Sequence, residues 1–273
     1  VELNQEQLFN WGYTNTTSGV LQLVTRSIDS IDPNTFYLFK NLQYLLLYSN
    51  QISFIDPATF LSTRNLTRLN LNYNQLAWID PIVFVPISNL QELFMSGNLF
   101  TSLKSNQFAY LPNLRVLSLI ENQISSIDPY TFSSLKNLEI LYLDQNRLIS
   151  FDNYLFNSLS SLNYLGLSSN QLNSFHPNIA FCLPRIITID LCNNLIKNLP
   201  NNCNDLQTLK SYWLENNPFA IDLNKCFETS FFLPSTTRLA ENLVKIENHI
   251  GKLINFIFKN TTIHKVKVIK IIY

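Results

Sequence analysis

Glycine is scarce, with 5 residues in 273, while apolar residues make up 46% of the chain. That combination excludes an extended disordered chain and supplies a sizeable core. Neither sign of charge dominates, since 19 Lys and Arg balance 19 Asp and Glu. With no net field, composition offers no reason to expect nucleic acid or a membrane surface as partner. No run of about 18 apolar residues occurs, so no transmembrane helix is expected within these residues. Methionine occurs once, at Met95, and the chain opens at Val1. The expectation is a processed or excised piece, with any membrane attachment in a segment outside it. Histidine is limited to His176, His249 and His264. None has a nucleophile or paired carboxylate at catalytic spacing. No Cys/His spacing suggests zinc. No catalytic, metal or cofactor residue is assigned, and no enzyme is expected.

What is present is a period. Asn50, Asn74, Asn98, Asn122, Asn146, Asn170 and Asn194 recur every 24 residues without a slip. Around each the same frame returns, as in Leu42-x-x-Leu45-x-Leu47-x-x-Asn50-x-Ile52 and Leu66-x-x-Leu69-x-Leu71-x-x-Asn74-x-Leu76. A fixed period of this length signals one structural unit stacked on copies of itself. Leu45 and Leu47 alternate with polar or exposed neighbours, the period of a short strand with one buried face. Stacking such strands yields a parallel sheet with strands about 4.8 Å apart. The Asn amide carries both donors and acceptors, so copies of it are expected to form a structural ladder bonding the backbone of adjacent turns.

A second column, Phe36, Phe60, Phe84, Phe108, Phe132 and Phe156, has the same spacing. It often closes an Ile-Asp-Pro-x-x-Phe segment, as from Ile31 to Phe36. Stacked aromatics would fill the convex side, where the prolines suit irregular backbone rather than helix. Asp32, Asp56, Asp80, Asp128 and Asp152 are read as turn-closing residues rather than metal ligands. Ala180 interrupts the Phe column, and a local adjustment is expected there.

The frame resembles the leucine-rich repeat, and a 24-residue unit with a Phe spine resembles its typical subclass. That subclass is common in extracellular proteins, including Toll-like receptor ectodomains and adhesion proteins. The resemblance runs from about Leu21 to Phe219, with Arg26 in place of the first Asn and a 23-residue step to Asn217. It implies an α/β solenoid, a leucine-rich repeat horseshoe with a concave parallel sheet, an irregular convex side and a C-terminal helical segment. The expected organisation is a cap over 1–20, about nine repeats over 21–226, and a helix and tail over 227–273. In the helix, Leu239, Leu243, Ile246, Ile250, Leu253 and Ile257 form one apolar stripe. It either caps the last repeat or self-associates, and the oligomeric state stays open.

Extracellular members usually close both ends with cysteine-rich caps. Here no Cys precedes Cys182, and Ala220-Ile221-Asp222 stands where a Cys-x-Cys is expected. Cys203 and Cys226 occupy equivalent positions in adjacent repeats and are the candidate disulfide, with two buried thiols as the plain alternative. Asn15, Asn65 and Asn260 lie in sequons that a secretory setting would permit to carry glycan.

Outward-facing strand residues line the concave surface, the usual binding surface of a curved solenoid. Tyr44, Leu46, Tyr48, Tyr73 and Phe94 make one candidate cluster, and Val116, Ile120, Ile140, Tyr142 and Tyr164 another. Arg68 and Glu92 lie on the same face. Aromatic and aliphatic patches of this kind mark partner sites, although β-propensity alone also favours these residue types in strands. The expected function is a protein-recognition module binding a protein ligand there, extracellular or at the cell surface as part of a receptor or adhesion protein. The alternative, favoured by the missing cap cysteines, is an intracellular scaffold.

Overall fold

The computed structural model describes residues 1–14, 19–152, 154–174, 179–197, 211–213 and 216–218, with backbone alone at 180, 181 and 211–213. Leu45, Leu69, Leu93, Leu117, Leu141 and Leu165 are fully buried, each at the centre of a three-residue strand. Two residues on, Leu47, Leu71, Met95, Leu119, Leu143 and Leu167 are buried as well. Met95 holds a leucine position, which its unbranched side chain can fill. Burying one face of each strand leaves the intervening residues on the other, so the apolar alternation sets the register.

The strands are Val20–Gln22, Tyr44–Leu46, Arg68–Asn70, Glu92–Phe94, Val116–Ser118, Ile140–Tyr142, Tyr164–Gly166, Thr188–Asp190 and Ser211–Trp213. They form one nine-stranded parallel sheet in sequence order. Each pairs with its copy one repeat away, as Leu117 with Leu141. The last step is one residue shorter, pairing Ile189 with Tyr212.

The Asn ladder closes each turn. Asn122 Nδ2 donates to Leu119 O in its own turn at 3.1 Å and to Met95 O in the turn before at 3.1 Å. Its Oδ1 accepts from Phe100 N at 3.2 Å. The residue ahead of each ladder Asn adopts a left-handed backbone, among them Ser49, Tyr73, Gly97, Glu121, Gln145 and Ser169. For a non-glycine this costs roughly 1–2 kcal/mol. The bend aims its N–H at the next turn, where Tyr73 N reaches Ser96 O at 2.7 Å and Gln145 N reaches Ser168 O at 2.8 Å.

On the convex side the Phe column is buried and in part stacked. Phe108 and Phe132, then Phe132 and Phe156, have ring centroids 6.2 Å apart at 9°. The aspartates close turns as their chemistry suggests. Asp32, Asp56, Asp80 and Asp152 accept from the backbone N–H two residues on. Asp128 instead reaches across to Ser105 N at 3.1 Å. One expectation needs correcting. Pro81–Ile87 is a 3-10 helix that contains Pro81 and Pro86, so proline does not keep this convex segment irregular. Asp80 caps it, and Pro81 stands in the first turn, where a missing N–H costs nothing. Where Ala180 interrupts the Phe column, the adjustment is one helical turn, Ile179–Cys182.

At the other end, Glu2–Leu3 pairs with Ser30–Ile31 beside the helix Gln5–Asn10. Leu3 and Leu8 are fully buried and join the solenoid core. The first turn is thus covered by packed side chains, with no cysteine involved. Among the described residues Cys182 and Cys192 form no disulfide. The expected Cys203–Cys226 bond and the C-terminal helix and tail lie outside the described residues.

Candidate ligand-binding face

In-register pairing turns the outward strand positions into true columns. Tyr44, Arg68, Glu92, Val116, Ile140, Tyr164 and Thr188 are lateral neighbours in that order. Leu46, Asn70, Phe94, Ser118, Tyr142, Gly166 and Asp190 form the next column. Tyr44 keeps 38% of its surface and Tyr48 37%, while Leu46 and Phe94 beside them are half-buried. In the second cluster Val116, Ile120, Ile140, Tyr142 and Tyr164 are all half-buried. The rings of Tyr142 and Tyr164 meet at 5.2 Å between centroids. Between the clusters the face is polar, and Ser96 Oγ and Ser118 Oγ share a buried hydrogen bond of 2.8 Å. Tyr73 stands apart from the columns. It sits in the turn that follows its strand, with its ring over Gly97. The charge of Glu121 pushes its hydroxyl pKa up.

Charges that are separate letters in the sequence are paired in the fold. Arg68 lies 5.1 Å above the Tyr44 ring and reaches Glu92 one strand on. Its Nη2 donates to Oε1 at 2.8 Å, and Nε stands 2.6 Å from Oε2. That Nε–H is not aimed at the oxygen, so Nη2 carries the hydrogen bond and Nε adds an ion contact. Arg115 grips Glu139 with two bonds of 2.9 and 3.0 Å.

Two features of the site were not picked out from the sequence. One is a polar groove of about 750 Å³ along the edge where the strands begin, lined by Asn65, Asn89, Asn113, Asn137, Arg115 and Glu139 among others. Its signal was a second 24-residue Asn column. Asn65 is exposed there, and its Nδ2 donates to Lys40 O at 3.0 Å. Asn15 and Asn260 lie outside the described residues. The other feature is the burial of Asp144 and Asp190, which the repeat already places on this face as acids suited to a partner of basic character, and their position about Gly166. Asp144 Oδ1 accepts from Ser168 N at 3.0 Å and Ser168 Oγ at 2.8 Å, while Oδ2 is buried without a hydrogen-bond partner. Burial holds the Asp144 pKa above the ordinary carboxylate value. The same burial, with both acids nearby, pushes the Tyr164 hydroxyl up.

Among the described residues no group of three or more His, Cys, Asp or Glu converges as a metal site. None of their helices is long and apolar enough to cross a membrane.

A family model described as "Leucine rich repeat" matches residues 20–76, 40–100, 88–148 and 136–196, overlapping spans that together cover more than half of the chain. The chain belongs to the leucine-rich repeat family. Leucine-rich repeat proteins are in general interaction modules that bind protein ligands, and most have no enzymatic activity. The solved structure of TLR13 in complex with ssRNA13 is similar at a TM-score of 0.70 and 30% identity, covering 74% of this chain and 29% of that one. A leucine-rich repeat protein of Leptospira interrogans is similar in fold at a TM-score of 0.64 and 24% identity, covering 74% of this chain and 50% of that one. The chain thus spans half or less of each of these structures. No curated protein matches it.

Proposed function

We propose that this chain is a protein-recognition module that holds a protein ligand on its concave sheet, within the ectodomain of a cell-surface or secreted receptor or adhesion protein. The observation that carries this reading is the exposure of Tyr44 and Tyr48 beside Leu46 and Phe94, on a face whose neighbouring charges pair with one another. Aromatic anchors in such surroundings are the usual source of binding energy in protein interfaces. TLR13 was bound to RNA in its complex, but Asp144 and Asp190, which enter no ion pair among the described residues, weigh against a polyanion here. The 24-residue, Phe-spine repeat supports the extracellular setting by its resemblance to receptor ectodomains. The alternative, an intracellular scaffold, is favoured by the absence of cysteine before Cys182.

The test is partner binding by Tyr44→Ala and Tyr142→Ala. Each is expected to weaken affinity roughly 10- to 100-fold, and unchanged affinity in both would remove the concave face from consideration. Mass spectrometry of the natively produced protein without reductant decides the compartment. A Cys203–Cys226 bond or glycan on Asn65 supports the receptor reading, whereas free thiols and bare asparagines favour the scaffold.

A further inference from the structure

Asp144 and Asp190 are 7% and 9% exposed, on a sheet face where Glu92 and Glu139 each hold an arginine. Neither takes part in any of the ion pairs found among the described residues. A buried carboxylate without a cation is costly, because the charge has lost water and gained nothing equivalent. The arrangement around the two acids is specific. Gly166 lies in the sheet between Tyr142 on one side and Asp190 on the other. Having no side chain, it leaves room for the Asp144 carboxylate, and a Cβ at residue 166 would stand 2.1 Å from Oδ2. The unpartnered oxygen is thereby directed over Gly166, in the column that carries Asp190. The Tyr142 and Tyr164 rings meet each other, and the charges of both acids reach the Tyr164 hydroxyl.

The chain also holds a completed version of this arrangement. In the N-terminal half of the same face Tyr44, Arg68 and Glu92 occupy three successive strands. There the guanidinium lies on the tyrosine ring and is clamped by the carboxylate. Tyr164 stands in the column of Tyr44, the acids are present, and the arginine is missing. We propose that a protein partner supplies an arginine side chain to the cluster formed by Asp144, Asp190, Tyr142 and Tyr164. A planar guanidinium suits it, since it stacks on aromatic faces while donating in its plane to carboxylates. The raised Asp144 pKa agrees with a charge that awaits compensation. This inference rests on the reading that the concave face binds protein, and it names the chemistry the ligand must present.

The test titrates the whole chain with Nα-acetyl-arginine methylamide and follows the backbone amide of Gly166 by NMR. Nα-acetyl-norleucine methylamide serves as the neutral probe, calcium chloride as the metal probe, and the Gly97 amide as a reference for intact folding. The arginine probe is expected to shift Gly166 saturably in the millimolar range while norleucine and calcium leave it in place. Asp144→Asn and Asp190→Asn keep an acceptor for Ser168 and Cys192, and each is expected to weaken the arginine response at least tenfold. Equal shifts from norleucine, tighter binding of calcium, or an unchanged response in both variants would overturn the proposal. Failure of the wider reading looks different. There the arginine probe still moves Gly166, while Tyr44→Ala and Tyr142→Ala leave partner affinity untouched.

Discussion

The ring of Tyr73 lies against the backbone of Gly97, so closely that a Cβ at residue 97 would stand 2.3 Å from Tyr73 Cδ1. The two residues hold the same position in consecutive turns, and Gly97 is the one glycine among the residues that precede a ladder Asn. Gly97→Ala therefore meets both a left-handed φ of +64° and a ring that has to move. The expected loss is about 1–3 kcal/mol, read from urea unfolding followed by circular dichroism. Adding Tyr73→Ala should restore part of it. An alanine variant as stable as the parent would show that the ring moves freely.

Asn122 joins its own turn to the one before through three hydrogen bonds, and its replacement tests the ladder. Asn122→Ala leaves Phe100 N–H and the carbonyls of Leu119 and Met95 buried without this partner. About 1–3 kcal/mol should be lost, as expected for one buried N–H left unsatisfied, because Met95 O and Leu119 O keep the amides of Asn98 and Asn146. Asn122→Asp should be no better, since an acceptor-only oxygen would then face two carbonyl oxygens. A loss below about 0.5 kcal/mol in the alanine variant would mean that water replaces the amide.

Burial separates two phenylalanines. Phe132 is fully buried between stacked rings, whereas Phe54 is 61% exposed. Phe132→Ala should cost about 3–5 kcal/mol, while Phe54→Ala should stay within about 0.5 kcal/mol. Calorimetric unfolding of both variants checks the contrast, and similar midpoints would refute it.

Asp144 gives stability a pH dependence of known sign. Its folded pKa lies above the ordinary value of 3.8, because burial penalises the anion. The folded state therefore holds this proton more tightly than the unfolded chain does. Its contribution is full below 3.8 and is lost as pH rises through the raised folded value. Asp144→Asn removes the ionised form, so the variant should melt higher than the parent at neutral pH, by about 2–4 °C for each kcal/mol regained. The gap should close on acidification to pH 3.5 or so, within the ordinary carboxylate range. A variant that melts lower at pH 7 would show that the hydrogen bonds from Ser168 outweigh desolvation.

Much of the fold could be read as period. A 24-residue spacing places residue i beside i+24, and that is why the Leu, Asn and Phe columns and the concave columns emerged in the correct order. Arg68 and Glu92, and Arg115 and Glu139, share that relation. Their pairing is implicit in the period, since each glutamate follows its arginine by 24 residues. The helix Pro81–Ile87 was hidden because proline is compatible with both a helical first turn and irregular backbone.

The sequence by itself determined the solenoid, its register and the lateral neighbours on the concave face. A strict repeat converts chain distance into spatial adjacency, and burial of one strand face rules out slipped alternatives. Only the tertiary structure decided which side chains lean diagonally, such as Asp144 over Gly166 and Tyr73 over Gly97. It also decided which acids are buried outside the ion pairs of the described residues and where the edge groove opens. Side-chain direction depends on every neighbour at once, and desolvation depends on how turns from distant parts of the chain close over a group. Neither quantity is carried by spacing along the chain.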